Sequence, residues 1–238
     1  MAEMIFKGCA DYQSLSEYTS QYLLDVIRAK PTATICLATG GSPALAYSLF
    51  VEQVKRQQLD VSHVTFVKLD EWAGVPLNAP GTCETFLRQH LLTPLGIDEN
   101  HYISFDTEGS AEHACEQVTH QIRQRGGLDL CLLGLGKNGH LGLNEPAKSL
   151  EPFTHVAQLD ERTQGHAMLK ALSAPVTQGV TLGLKEILAA KAILFLVTGE
   201  GKQQAFSEFL TRKVSTQLPA SFLWLHQHVT CLYDESVC

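Results

Sequence analysis

The sequence has no long apolar run, no cluster of basic residues and no paired cysteine spacing, and each absence removes a class of function. No stretch approaches the roughly 18 apolar residues of a membrane-spanning helix. No basic segment followed by an apolar one opens the chain, so the protein is expected to be cytoplasmic, without a membrane partner. A net charge of −7 with no Lys/Arg run argues against nucleic acid. The seven cysteines are odd in number and scattered, with no CxxC, and Cys36 and Cys131 lie inside apolar runs where cysteine behaves as a small hydrophobe. A reducing compartment follows. Without HExxH or paired Cys/His spacing no metal is expected, and without GxSxG no hydrolase elbow.

What is present is 238 residues, 45% hydrophobic, with no linker, repeat or low-complexity segment. That is enough for one sizeable core, so residues 1–238 are expected to form one domain. Helical periodicity runs from Ser14, a plausible N-cap, to Lys30, then from Ser42 to about Gln57, and helices also follow Pro80 and Glu108. Between them, apolar runs at Thr32–Ala38, Val64–Leu69, Tyr102–Phe105, Leu128–Leu133, Ala192–Thr198 and Val229–Tyr233 read as buried strands. Strands alternating with helices imply an α/β fold: a mostly parallel, doubly wound, Rossmann-like sheet with helices on both faces. Glu151–Lys170 has weak periodicity and reads as a small lid, about 151–175.

Four polar segments each follow a strand directly, so a parallel sheet places them on one rim, where ligands of open α/β sheets bind. Thr39-Gly40-Gly41-Ser42-Pro43 turns into a helix, with Ser42 a good N-cap and Pro43 a good first residue. Its free N–H groups suit a phosphate, yet it lacks the lysine of a nucleotide-triphosphate loop. Asp70-Glu71 could cap a helix or supply a base. Lys137 to Glu145 carries His140, with Asn138 before it and Glu145 after it, the minimum for acid/base work. Gly134-x-Gly136-x-x-Gly139 matches a dinucleotide fingerprint, but Gly142 and Pro146 interrupt the helix that fingerprint must open. Lys202 follows the strand Ala192–Thr198 and is placed to meet an anion. These groups fit proton movement on a phosphorylated small molecule, with no cofactor.

Leu37-Ala-Thr-Gly-Gly-Ser-Pro43, Lys68-Leu-Asp-Glu-Trp72, Gly136-Lys-Asn-Gly-His-Leu-Gly-Leu-Asn-Glu-Pro146 and Thr198-Gly-Glu-Gly-Lys202 together resemble the amino-sugar-phosphate deaminase/isomerase family, in order along nearly the whole chain. The closest likeness is to its galactosamine-6-phosphate branch. The resemblance implies that Asp70 moves a proton between C2 and C1 of the open-chain sugar. It implies that His140, oriented by Glu145, assists ring opening, and that Gly40, Gly41, Ser42 and Lys202 hold the 6-phosphate. Thr39 is expected to bind the phosphate with them, and Glu71 and Gly139 to complete the pocket. The implied reaction gives a ketose 6-phosphate and ammonia, tagatose 6-phosphate in the galacto case.

Two positions depart from the family. Its glucosamine-6-phosphate members carry aspartate where Asn138 stands, and the family's phosphate-binding arginine has no clear counterpart, with Arg162, His166 and Lys170 as candidates. Glucosamine 6-phosphate as substrate, a gluconolactonase-like hydrolase, and a non-catalytic sugar-phosphate binder remain open. The C4 configuration of the sugar and the choice between monomer and small homo-oligomer are not fixed by these residues.

Overall fold

The computed structural model describes residues 4–165, 167–171 and 175–237. In chain order, β1 (Ile5–Cys9), α1 (Tyr12–Ala29), β2 (Thr34–Leu37), α2 (Gly41–Gln57), β3 (Thr65–Lys68) and β4 (Asp70–Trp72) come first. Next are α3 (Cys83–Leu87), α4 (Thr93–Leu95), β5 (Tyr102–Ile103), α5 (Ala111–Gln124), β6 (Leu130–Gly134), β7 (His155–Gln158) and α6 (Glu161–Gln164). The chain closes with β8 (Gln178–Thr181), α7 (Leu184–Leu188), β9 (Ala192–Val197), α8 (Gln203–Phe209) and β10 (Val229–Asp234).

Seven strands form one sheet, in the order β1-β10-β9-β6-β2-β3-β5, with every pairing parallel. The expected α/β fold is therefore present. All residues of β2 and β3 are buried, as are five of the six in β9, which is why these strands read as unbroken apolar runs. From β2 the chain steps to β3 and β5, then returns to β6 on the other side of β2 and continues to β9 and β10. The loops leaving β2 and β6 diverge at that reversal, which opens the crevice expected of a doubly wound sheet.

A second sheet, β4-β8-β7, is antiparallel and stands beside the first. It carries its own apolar cluster of Trp72, Cys83, Leu143, Ala157, Leu159, Leu169 and Val176. The described residues of the 151–175 segment thus contribute a strand and helical turns, with Ala157, Leu159 and Leu169 in this cluster, and the four-residue antiparallel strand is too short to give a period. Asp70-Glu71 sits on β4, a strand of this sheet, and not in a cap.

Two helix starts differ from expectation. Asp11, not Ser14, caps α1: its Oδ1 accepts from the Ser14 N–H and from Ser14 Oγ, each at 2.7 Å. The cap position of α2 is Gly40, at φ 92°, a conformation that favours glycine, so Ser42 and Pro43 fall inside the first turn. β1 is absent from the sequence reading because it is an edge strand with a half-exposed pattern. No described helix is long and apolar enough to cross a membrane.

Candidate active site

A cavity of about 840 Å³ opens where β2 and β6 diverge, and Thr39 to Ser42, Asp70, Asn138, His140 and Lys202 all line it. The four strand-end segments do share one rim. After β6 no helix opens; the chain makes tight turns closed by a bridge between Leu141 and Asn144, which removes the dinucleotide reading. Asn144 was not singled out by the sequence reading. Its buried amide donates to the carbonyls of Leu141 at 2.8 Å and Leu182 at 2.9 Å and holds this loop.

His140 lies flat on the loop backbone, because a Cβ at Gly136 would come within 2.3 Å of the imidazole. Its Nδ1 faces Glu145 Oε2 at 3.3 Å, so the carboxylate fixes the ring from behind. Asn138 Nδ2 donates to the same Oε2 at 2.8 Å, while Asn138 Oδ1 accepts the His140 N–H at 3.2 Å. Burial opposes the charge on Glu145, but hydrogen bonds from His140, Thr163 and Asn138 hold its carboxyl below the usual range. Thr163, from the 151–175 segment, also places Oγ1 3.5 Å from His140 Nδ1.

Asp70 faces the cavity from β4. Burial, then the neighbouring charge of Glu71, raises its pKa to about 6, against the opposing pull of Cys83, His140 and Lys68. A carboxyl poised near neutrality is suited to taking and returning a proton. Glu71 corrects an expectation: it does not border the cavity but is fully buried, accepting from Lys68 Nζ at 2.8 Å and from the N–H groups of Trp72, Cys83 and Glu84. Successive residues of a strand point to opposite faces, so only one of the two acids can reach the cleft. Gly139 is a second correction: it packs away from the cavity, where a Cβ would meet Leu218 Cδ1 at 2.2 Å.

Where β2 leaves the sheet no side chain caps α2, whose first turn begins at Gly41. Tyr12 braces it by donating to the Gly41 carbonyl at 2.6 Å and accepting the Leu45 N–H at 3.1 Å. Ser42 Oγ, freed from capping, accepts from Lys202 Nζ at 2.9 Å. Thr39 is a third correction, since its hydroxyl is directed to Cys83 Sγ and not into the cradle. The sequence reading missed Lys137, which lines the cavity beside Gly201; its Cδ and Cε would stand 3.4 Å from a Cβ there. Burial first, and the Lys137 charge second, lower the Lys202 pKa to about 8. Two ammonium groups acting on one another beside an uncapped helix start form a site for an anion. Of the candidates for the arginine role, Lys170 is exposed at the cavity edge, whereas His166 and the Arg162 side chain lie outside the described residues. Among the described residues no cluster of His, Cys, Asp and Glu could hold a metal ion.

An acid/base pair facing an anion cradle at the switch point of a parallel sheet fits an enzyme that moves protons on a small anionic molecule. The chain belongs to the family described as glucosamine-6-phosphate isomerases/6-phosphogluconolactonase, which it matches over residues 10–232. It is 62% identical over 224 residues to the AgaI protein of Escherichia coli (strain K12), a deaminase by name, covering 94% of this chain and 89% of that one. It is 34% identical over 226 residues to a glucosamine-6-phosphate deaminase of Halalkalibacterium halodurans, covering 94% and 92%. The solved structure of a monomeric glucosamine-6-phosphate deaminase superposes with a TM-score of 0.93 at 30% identity over 98% of each chain.

Proposed function

We propose that this enzyme, an amino-sugar-phosphate isomerase/deaminase, converts galactosamine 6-phosphate and water into tagatose 6-phosphate and ammonia. The observation that carries the reading is the placement of Asp70 and the His140–Glu145 pair around the same cavity as the Ser42–Lys202 cradle. Gly40, Gly41, Ser42, Lys202 and Lys137 hold the 6-phosphate. His140, its ring fixed by Glu145, exchanges a proton between the ring oxygen and the anomeric hydroxyl and so opens the sugar. The Asp70 carboxylate then removes the C2 proton and returns it to C1, while the proton shed by the C2 ammonium passes to the C1 oxygen, which leaves C1 as CH2OH and C2 as an iminium. Water adds at C2, and the C2–N bond breaks to release ammonia and the ketose. The shift from aldose to ketose makes the C2–N bond labile, so the reaction needs no cofactor.

The galacto assignment rests on the Lys68 to Trp72 and Gly136 to Pro146 motifs, with Asn138 in place of the aspartate of the gluco enzymes. Glucosamine 6-phosphate is the second reading, favoured by the named activity of the 34% identical relative. A cytoplasmic site of action accords with six free cysteines among the described residues. The test is ammonia release coupled to ketose 6-phosphate formation from each sugar, with Asp70→Asn as control. Turnover of the galacto sugar, lost in the control, supports both reaction and substrate. No ammonia from either sugar sinks the deaminase assignment and brings forward the lactone, then binding alone.

A further inference from the structure

The proposed reaction makes no use of a short chain of contacts beside Asp70 on the cavity wall. Thr39 Oγ1 donates to Cys83 Sγ at 3.2 Å, and Cys83 Sγ lies 3.6 Å from Asp70 Oδ1, as donor to it. We propose that Cys83 is a positioning residue for Asp70: its thiol occupies Oδ1 and leaves Oδ2 as the oxygen that moves the substrate proton. This rests on the reading of Asp70 as the base. Oδ2 is turned toward the loop that carries His140, since a Cβ at Gly142 would begin 3.5 Å from it.

Three features make the thiol a fixed partner. Cys83 is almost fully buried and opens α3. Its N–H donates at 2.9 Å to Glu71 Oε1, and the next N–H, from Glu84, donates to Glu71 Oε2 at 2.8 Å. The residue adjacent to the base in sequence therefore holds the backbone that returns a thiol to that base. Thr39 occupies the sulfur as acceptor, which leaves the S–H to donate to Asp70. Burial, with the charges of Glu71 and Asp70, pushes the thiol well above its ordinary pKa, so it remains a donor and not a thiolate at working pH.

A donor on Oδ1 favours the ionised carboxyl, in concert with His140 and Lys68 and against burial and Glu71, the groups that face Asp70. A thiol is a weak donor, so it fixes geometry while leaving the base near neutrality. Cys83→Ala removes the donor and should move the acid limb of the kcat profile upward by about one pH unit, with KM little changed. Cys83→Ser supplies a stronger donor and should return the limb to the wild-type position or below it.

The experiment is the kcat–pH profile of wild type, Cys83→Ala and Cys83→Ser. Alongside it, the Asp70 carboxyl of the resting enzyme is titrated by infrared difference spectroscopy, its band assigned by its loss in Asp70→Asn. The infrared titration needs no turnover, so it tests the thiol contact even where the substrate assignment fails. An acid limb and a carboxyl titration that rise together in Cys83→Ala and return in Cys83→Ser support the proposal. An unchanged titration in Cys83→Ala, or a serine variant no different from alanine, overturns it. Should Cys83→Ala not fold, Thr39→Val is read in the same way, with a smaller upward shift expected and an unchanged titration overturning it.

Discussion

Asp70 and Glu71, adjacent on the three-residue strand β4, point their carboxylates into opposite environments: Asp70 opens on the cavity, and Glu71 is fully buried among four donors. The two are coupled nonetheless. The charge of Glu71, which accepts from Lys68 and the first N–H groups of α3, is, after burial, one of the influences that lift Asp70 toward neutrality. An acid that would otherwise be a weak base near its ordinary value of 3.8 is retuned first by burial and then by its own neighbour.

That arrangement costs stability, with a definite sign. The folded-state pKa of Asp70 is raised, so the folded chain binds its proton more tightly than the unfolded chain. Its contribution is full below 3.8 and is lost as pH rises through about 6. The rise corresponds to at most about 3 kcal/mol, and to roughly 1–2 kcal/mol once solvent in the cavity is allowed for. Asp70→Asn is expected to raise Tm by several degrees at about pH 8 and by roughly half as much at about pH 5, where the unfolded carboxyl is already ionised and the folded one is not. Thermal unfolding at the two pH values checks it, and an equal rise at both removes the explanation.

Behind the base, Lys68 is fully buried between Glu71 Oε2 at 2.8 Å and Glu84 Oε2 at 2.7 Å. Tyr102 and Ser104 donate to the same Glu84 oxygen, and Arg88 reaches Glu84 Oε1. Removing one partner of such a group strands the others. Lys68→Met is expected to cost about 3–5 kcal/mol, since two buried carboxylates lose their shared cation. Adding Glu84→Gln should recover part of that loss. Chemical denaturation of the single and double variants measures it, and strict additivity of the two losses refutes the shared-cation account.

The parallel sheet was legible because β2, β3, β6 and β9 are buried on both faces and leave unbroken apolar runs, and the rim followed from strand ends alone. The second sheet was not legible. β4 and β7 are three and four residues long, pair antiparallel with a distant strand, and carry polar residues into that pairing. For the same reason periodicity could not say which of Asp70 and Glu71 faced the cleft, and only the resemblance singled out Asp70. Lys137 stood in the central motif but was passed over, because nothing along the chain shows that it meets Gly201 and Lys202 from another strand's loop. Cys83 and Thr39 lie 44 positions apart, and only the fold places a thiol between a threonine and the base.

Asn138 gives its amide proton to the carboxylate that orients His140, at 2.8 Å from Glu145 Oε2. Asn138→Asp replaces that donor with a second acceptor, so two carboxylates must share a proton or part. The substitution is expected to reduce kcat about tenfold near pH 7.5, with partial recovery at lower pH where the pair holds one proton. Steady-state rates across pH decide it. Activity equal to wild type at neutral pH would falsify the requirement for an amide at this position.

In the proposed reaction Lys137 and Lys202 share one phosphate, and the Lys137 charge also acts on Lys202. Lys202, lowered to about 8 by burial and then by the Lys137 charge, loses its proton within the working range when no anion is present. Phosphate affinity should accordingly fall above about pH 8. Lys137→Gln removes one cation and one repulsion, with opposite consequences. At about pH 7 it should raise KM roughly tenfold, the loss of one charge-assisted contact, with kcat little changed. It should also move the alkaline rise of KM to higher pH, because Lys202 then holds its proton longer. Inorganic phosphate, tested as a competitive inhibitor, should show both effects without reference to the sugar. A weaker phosphate constant whose pH dependence is unmoved would mean that Lys137 contacts the anion without tuning Lys202. A constant unchanged in both respects would leave the second cation to the 151–175 segment, where Lys170 borders the same cavity.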